Sequence, residues 1–297
     1  MQLTTEALLS KEDGRIYDAD IVLDSVNSKG VRLITIKLSM WRPILAEFNT
    51  HRMLSKNAPS SRALSVTSLL KKIEHIPTLP VWWGKRDGPG MQAFEELNDA
   101  DITRAKKIWQ DTKEFCINSA RQLYDLGLHQ QVSNRIVESW MTTTVVATGT
   151  QWDNLFRQRI HIAAQPEFHI LASRARTAIE NSIPYYVEDG EWHVPFISDK
   201  ERNVLQQNVQ LNVSAARCAR ASYFQYDGTY NVDKDIDLFN RLWCAEPPHA
   251  SPFEHVAQST GDRAWYANFR GWMQMRKNMI NENVLDNFYD GPVRVRP

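Results

Sequence analysis

The sequence predicts an α+β fold in which helices pack around a small and mostly antiparallel sheet. Two early segments, 20–25 and 31–40, are predicted strands, and the second carries apolar residues on both faces, as a strand buried on both sides does. Residues 101–127 form the clearest predicted helix, because apolar side chains recur at three- and four-residue spacing and Gly127 follows them. Further helices are predicted at 41–49, 64–75, 131–150, 151–181, 200–223 and 232–245.

Two segments carry conflicting signals. Residues 142–146 are β-branched, which weakens helix propensity within the predicted helix 131–150. Residues 263–280 alternate aromatic and basic side chains, a pattern that single-strand nucleic-acid sites share with packed amphipathic helices. We favour the helix for the second segment. The stretches 76–90 and 246–256 are rich in proline or glycine and are predicted loops.

Length and charge limit the classes of protein that fit. The chain has 297 residues, enough for one large domain or two ordinary ones, and a boundary near 183–198 divides it into 1–185 and 186–297. Lys and Arg number 35 against 35 Asp and Glu, which argues against a nonspecific DNA coat or a polybasic membrane binder. We therefore expect neither a membrane nor a stable nucleic acid as partner.

The cysteines and the apolar runs indicate the compartment. Cys116, Cys218 and Cys244 are widely spaced and form neither a CxxC pair nor a disulfide framework, so we expect a reducing environment. The chain begins without a signal-peptide pattern and contains no run of 18 apolar residues, and we expect a cytoplasmic protein. His249 and His255 flank Glu254 across a proline, but this spacing is a poor metal motif and we expect no metal site.

The segment 50–62 is the strongest candidate for a functional site. Its donors outnumber its acceptors, and Arg and Lys bind phosphates and carboxylates while Ser and Asn add neutral hydrogen bonds. Such a set suits the phosphate and the base edge of a nucleotide, although an ordinary solvated basic loop has the same composition. The side chains concerned are His51, Arg52, Ser55, Lys56, Asn57, Ser60, Ser61 and Arg62.

The order of these residues resembles the signature of the flavin-dependent thymidylate synthases, the ThyX family. His51-Arg52-x7-Ser60-x-Arg62 is similar to Arg-His-Arg-x7-Ser-x-Arg, with Thr50 in place of the first arginine. Residues 154–168 resemble a later helix of that family and match it at Arg159 and at 164–167. In that helix the family's histidine is replaced by Ala163 and its last arginine by His169.

The C-terminal third resembles the same family again. Residues 219–223 and 249–255 are similar to two segments that precede the signature in the family. They are followed by 268–279, in which Gln274-Met275-Arg276 stands where Arg-His-Arg is expected. The chain thus resembles a rearranged or partly duplicated member, with the signature in 1–185 and a second ThyX-like segment in 186–297.

The resemblance implies a reaction, its cofactors and its site residues. Family members are homotetramers that bind FAD and dUMP at subunit interfaces, take a methylene from methylenetetrahydrofolate and reduce it with flavin hydride, which NADPH replenishes. Ser60, Arg62 and Arg159 would be catalytic, in the sense that the arginines stabilise negative charge on a base activated at C5, and Ser60 is not a nucleophile. The implied flavin contacts are His51, Arg52, Asn57, Ser222, Ser251 and Glu254, and the implied nucleotide contacts are Glu47, Ser60, Arg62, Arg159 and His169.

Four departures from the family pattern leave alternatives open. Thr50 removes a charge, Ala58 replaces an acidic or amide side chain, and His169 replaces an arginine. Glu47 stands where glutamine is common, and an acceptor-only group favours a donor such as the amino group of cytosine. The default is C5 methylation of dUMP to dTMP. The alternatives are a dUMP or dCMP hydroxymethylase using the same folate, and a non-catalytic nucleotide- or nucleic-acid-binding protein. A homo-oligomer is expected, as a dimer or a tetramer.

Overall fold

The computed structural model describes residues 3–11, 16–76, 78–86, 88–221 and 231–279, and it confirms the α+β class. The helices are α1 Thr5–Lys11, α2 Leu45–Asn49, α3 Val66–His75, α4 Asp99–Asp125, α5 Gln130–Ser133, α6 Asp153–Arg159, α7 Pro166–Glu180, α8 Asp199–Val204, α9 Gln207–Ala221 and α10 Val232–Trp243. The strands are β1 Asp18–Val26, β2 Arg32–Trp41, β3 Ser55–Asn57, β4 Thr142–Gly149, β5 Tyr185–Tyr186, β6 Trp192–His193, β7 Ala257–Ser259, β8 Trp265–Tyr266, β9 Phe269–Arg270 and β10 Trp272–Gln274. Short 3₁₀ turns occur at Arg42–Ile44, Ser61–Ala63, Asn134–Trp140, Ser251–Glu254 and Met275–Asn278.

The main sheet has the strand order β3-β4-β2-β1-β5. Its strands pair antiparallel except β1 with β5, which are parallel. Strand β2 lies in the middle, and both of its faces are buried, since Leu33 and Thr35 on one side and Ile34 and Ile36 on the other are inaccessible to solvent. The prediction of a strand buried on both sides is therefore confirmed.

Helix α7 covers one face of the main sheet. It begins at Pro166, whose fixed φ suits the first turn of a helix, and it packs on β1 and β2. Phe168 and Leu171 join the apolar residues of β2 in the largest core of the protein. Phe168 of the same helix contacts Phe48 in α2 and His51 just after it. Through these contacts the core positions the candidate site.

The C-terminal region packs on the other face of the main sheet. A three-stranded sheet of order β10-β7-β6 supplies Ala257 and Trp272, which form a small core with Leu33 of β2. The indole N–H of Trp272 donates to the carbonyl oxygen of Val31 at 3.1 Å. The predicted boundary at 185/186 falls inside β5, which pairs with β1 of the main sheet.

The helix predicted over 131–150 is wrong. Only Gln130–Ser133 is α-helical there, a 3₁₀ turn follows, and Thr142–Gly149 is strand β4 between β2 and β3. The β-branched run explains the difference, because such side chains lose rotamer freedom in a helix and pack well on a pleated sheet.

The helix predicted over 263–280 is also wrong. Strands β8, β9 and β10 and a 3₁₀ turn occupy the described part of it, and Gly271 has a φ of 68°, a value that ends regular structure. The other long helices are interrupted: 151–181 is divided into α6 and α7, and 200–223 contains α8 and α9. In α4, Ile108 and Phe115 are exposed rather than part of the buried stripe.

No helix within the described ranges is long and apolar enough to cross a membrane. Residues 286–297, which the sequence predicts to lie as a tail on the protein surface, are outside those ranges.

Candidate functional site

The structure brings together two segments that carry the ThyX-like motifs. The Nε–H of Arg159, the last residue of α6, donates to Nε2 of His51 at 2.9 Å, although the two residues are 108 positions apart. The Nη2 of Arg159 also donates to the hydroxyl of Thr50, at 3.4 Å. Thr50, which replaces an expected arginine, thus accepts a hydrogen bond from an arginine of another helix. We call Glu47, Thr50, His51, Arg159 and Phe168 the Arg159 cluster.

His51 is a neutral acceptor in this cluster. Its side chain is buried, with 6% of the residue exposed, and burial lowers its pKa to about 4, helped by the positive charges of Arg159 and Lys56. The imidazole is therefore uncharged at neutral pH, with the lone pair on Nε2 facing Arg159 and the ring proton on Nδ1. Because His51 carries no charge, the positive charge of Arg159 is not cancelled by its closest partner.

The Phe168 ring contacts both the Arg159 guanidinium and the His51 imidazole. The Arg159 guanidinium lies 4.7 Å from the centre of the Phe168 ring, and the His51 ring meets it edge-on at 5.9 Å. A cation over an aromatic face is attracted by the ring quadrupole. Phe168 therefore fixes the position of Arg159 from below while the His51 nitrogen fixes it from the side.

Glu47 is one of two carboxyl groups at the cluster, and the other is that of Glu167, which precedes Phe168 in α7. Glu167 is buried and accepts hydrogen bonds from the backbone N–H of Val81 at 2.9 Å and from Nε2 of Gln165 at 3.1 Å. Burial raises the pKa of Glu167, and the negative charge of Glu47 raises it further. Burial lowers the pKa of Arg159, whereas the charge of Glu47 raises it, so Glu47 lies within electrostatic reach of both groups.

Lys56 holds the segment between α2 and β3 in place. Its Nζ donates to the carbonyl oxygens of Phe48 and Asn49, both at 3.3 Å, and of His51 at 2.7 Å. These carbonyls stand at and just after the end of α2, where a helix leaves acceptors unpaired. Burial lowers the pKa of Lys56 to about 8; the charge of Glu254 opposes this shift and that of Arg52 adds to it. The Lys56 side chain therefore stabilises the backbone at the end of α2.

The C-terminal region contacts the signature segment from the other side. The hydroxyl of Ser55 accepts from Nε2 of Gln274 at 2.9 Å and from Nδ2 of Asn268 at 3.0 Å. The Nδ2 of Asn57 donates to the carbonyl oxygen of Cys218 at 3.1 Å. The C-terminal region is thus in direct contact with the signature segment through Cys218, Asn268 and Gln274.

Glu254 and Ser251 lie in the same C-terminal turn. Glu254 forms an ion pair with Arg276, and its charge also reaches Lys56. Ser251 is exposed. The exposed guanidinium of Arg52 makes no hydrogen bond to the rest of the described chain, so it is available to a ligand. Guanidinium and hydroxyl groups of this kind can both donate hydrogen bonds to a phosphate.

The other candidate residues stand apart from the Arg159 cluster. Ser60 precedes the 3₁₀ turn Ser61–Ala63 and accepts from the backbone N–H of Arg62 at 3.4 Å, while the Arg62 side chain is exposed. His169 is buried in α7, with Nδ1 3.2 Å from the carbonyl oxygen of His161. Among the described residues, no hydrogen bond joins Ser60, Arg62 or His169 to Arg159. Ser222 lies outside the described residues.

Glu167 and Phe168 were not predicted as site residues from the sequence, and Lys56 was predicted only as a donor to a ligand. Glu167 and Phe168 belong to the matched motif segment, but neither a single carboxylate nor an aromatic residue in a helix signals its role. Lys56 stands in the signature segment itself, and its backbone contacts depend on how α2 ends. The only available signal was their position next to matched residues.

A chain of buried, hydrogen-bonded side chains begins at His255, the residue after Glu254. His255 Nδ1 lies 2.8 Å from the hydroxyl of Thr148, which lies 2.7 Å from that of Thr35, and Thr35 lies 2.8 Å from Nε2 of His193. The His193 Nδ1 ends the chain 2.7 Å from the Ser25 hydroxyl. Burial lowers the pKa of His255 to about 3 and that of His193 well below its usual value. Within the described ranges, no group of three or more His, Cys, Asp or Glu side chains is arranged to hold a metal ion.

No protein-family model and no curated protein matches the chain. Solved structures that resemble part of it include a UMP/dUMP methylase PolB from Streptomyces cacaoi bound with 5-Br UMP, at 13% identity and a TM-score of 0.43, covering 55% of this chain and 88% of that one. The same enzyme bound with 5-Br dUMP is 15% identical with a TM-score of 0.40, and the match covers 50% of this chain and 66% of that one. The flavin-dependent thymidylate synthase ThyX from Helicobacter pylori, complexed with FAD and dUMP, is 18% identical with a TM-score of 0.33. That match covers 50% of this chain and 67% of that one.

Proposed function

We propose that the protein is a flavin-dependent enzyme that methylates C5 of a pyrimidine deoxynucleotide monophosphate, with dUMP as the default substrate and methylenetetrahydrofolate as the one-carbon donor. The observation that carries this proposal is the hydrogen bond between His51 and Arg159. It joins the two motif-bearing segments and leaves a positive charge beside a neutral acceptor.

Arg159 supplies the charge that the reaction requires. With Nε on His51 and Nη2 directed to Thr50, the guanidinium keeps N–H groups for a pyrimidine oxygen or a phosphate. Negative charge develops on the base when C5 is activated, and a fixed cation in a partly buried site stabilises it. Arg62 and Ser60 would contact the nucleotide from the neighbouring turn.

The flavin would be held by His51, Arg52 and Asn57 of the signature segment. Ser251 and Glu254 of the C-terminal region would contact it as well. When bound, it supplies the hydride that converts the transferred methylene into a methyl group, and NADPH restores it. The protein's own residues orient the nucleotide and stabilise its charge, and no side-chain nucleophile is required.

The C-terminal region is proposed to act as a second ThyX-like segment that completes the same site. Contacts of Gln274 with Ser55 and of Asn57 with Cys218 support this view. If one chain supplies elements that usually come from several subunits, a homodimer is as consistent with the site as a homotetramer.

The test is tritium release from nucleotide labelled at C5. Purified protein is incubated with FAD, NADPH, methylenetetrahydrofolate and [5-³H]dUMP or [5-³H]dCMP, and the product is identified by chromatography. A methyl product supports the proposal, a hydroxymethyl product supports the hydroxymethylase alternative, and no release from either nucleotide refutes both.

The residue-level arm compares two arginines of α6. Arg159→Ala should lower the rate by about 10² or more, the usual effect of losing one group that stabilises transition-state charge. Arg157→Ala is the matched control, because Arg157 is exposed on the same helix and makes no hydrogen bond to the described part of the chain. Equal losses in the two variants would contradict the assignment of Arg159.

A further inference from the structure

The side chain of Glu47 has a buried oxygen that lacks a hydrogen-bond partner. Its Oε2 is shielded from solvent and accepts no hydrogen bond from any residue that the structure describes. Buried polar atoms are almost always paired, and an unpaired carboxylate oxygen is among the costliest exceptions. The site is therefore short of one N–H or O–H donor at this position.

Neither of the two cations that flank this segment donates a hydrogen bond to the side chain of Glu47. Lys56 donates to three backbone carbonyls, and Arg159 directs Nε to His51 and Nη2 to Thr50. The Thr50 hydroxyl itself donates to the backbone oxygen of Glu47 at 2.7 Å. The Oε2 of Glu47 can therefore accept a hydrogen bond from a molecule that binds beside Arg159.

We infer that Glu47 accepts a hydrogen bond from the exocyclic amino group of a 4-aminopyrimidine, so that the preferred nucleotide carries cytosine rather than uracil. This inference rests on the proposed function and narrows its substrate. Cytosine offers an amino donor next to the acceptors N3 and O2. An acceptor at Glu47 beside the N–H donors of Arg159 complements that edge.

Uracil fits the same pair of groups less well. Its 4-carbonyl would face a carboxylate that has no hydrogen to donate, and its N3–H lies between two carbonyl oxygens. Glu167 adds a second carboxyl group whose pKa already responds to the charge of Glu47. The acidic side of the Arg159 cluster therefore repels the carbonyl of uracil and attracts the amino group of cytosine.

The test measures the binding of dCMP and dUMP by calorimetry, with FAD present, in wild-type protein and in Glu47→Gln. Wild-type protein should bind dCMP at least about tenfold more tightly, the effect of a hydrogen bond to a charged group. The amide of Glu47→Gln can donate to the uracil carbonyl, so the ratio should move toward dUMP by about tenfold or more. Glu114→Gln, an exposed position on α4, is the matched control and should keep the wild-type ratio.

Each result decides the inference. Equal or tighter binding of dUMP by the wild type overturns it, and so does an unchanged ratio in Glu47→Gln. If tritium is nevertheless released from dUMP, the proposed function stands and only the choice of base fails; if neither nucleotide binds, both fail. Should Glu47→Gln not fold, Glu47→Asp keeps the carboxylate and must retain the preference for dCMP with weaker binding.

Discussion

Arg159 donates its Nε–H to the Nε2 of His51, so the hydrogen-bond partner of this cation is a neutral acceptor. The imidazole remains neutral because burial and two nearby cations lower its pKa to about 4. The guanidinium consequently keeps its full charge for a ligand. The pair thus consists of one cation and one neutral acceptor, an arrangement that would suit an anionic ligand.

The titration of His51 provides the first test. We expect NMR of histidine-labelled protein to give a pKa of about 4 for His51. In Arg159→Ala the pKa should rise but stay below 6.5, because burial, the larger cause, persists. Arg157→Ala serves as the control and should leave the titration unchanged. A His51 that titrates near 6.5 in the wild type would contradict the geometry.

Thr148 connects Thr35 to His255 in the buried chain of hydrogen bonds. It contacts both Thr35 and His255, so Thr148→Val, which keeps the shape, should lower the free energy of unfolding by about 1–3 kcal/mol. Thr144→Val, on the same strand at a position with no side-chain hydrogen bond in the described structure, should change it by much less. Urea denaturation measures both, and similar losses in the two variants would show that the chain adds no stability.

Acid should destabilise the protein through the buried histidines. The folded-state pKa values of His51 and His255, about 4 and about 3, lie below the value of 6.5 expected for unfolded chain. The unfolded state therefore binds more protons, and stability is complete above pH 6.5 and falls as the pH drops toward these values, by up to about 1.4 kcal/mol per pH unit for each histidine.

The pH profile of the urea midpoint measures this effect. In His255→Asn the decline below pH 6.5 should be shallower than in the wild type, because one buried neutral histidine is gone. His75→Asn, at an exposed position of α3, is the control. A flat profile between pH 6.5 and 4 in the wild type would refute the explanation.

Gly271 allows the C-terminal strands to lie against the main sheet. Its φ is 68°, and a Cβ there would lie 2.5 Å from the carbonyl oxygen of Asp262 and 2.8 Å from Nδ2 of Asn27. Gly271→Ala should therefore destabilise by more than about 1 kcal/mol, since strain and overlap add. Gly88→Ala, where a Cβ meets nothing within 4 Å, is the control. Equal melting temperatures of Gly271→Ala and wild type would disprove the close approach.

The periodic segments were the most predictable part of the fold. The strands at 20–25 and 31–40 and the long helix near 101–127 were confirmed because alternation and three- to four-residue spacing are local properties. The helices predicted over 131–150 and 263–280 failed for the opposite reason. Strand β4 is buried on both faces and β8 to β10 are very short, so neither shows a clear period of two.

The sequence by itself determined the α+β class and which segments carry the donors and acceptors of the candidate site. Only the tertiary structure decided which of them meet: His51 with Arg159, Ser55 with Gln274, and Lys56 with its own backbone rather than a ligand. The tertiary structure also left the Oε2 of Glu47 unpaired among the residues it describes. The physical reason is that hydrogen bonds and burial depend on groups far apart along the chain, whereas composition and periodicity are set by neighbours.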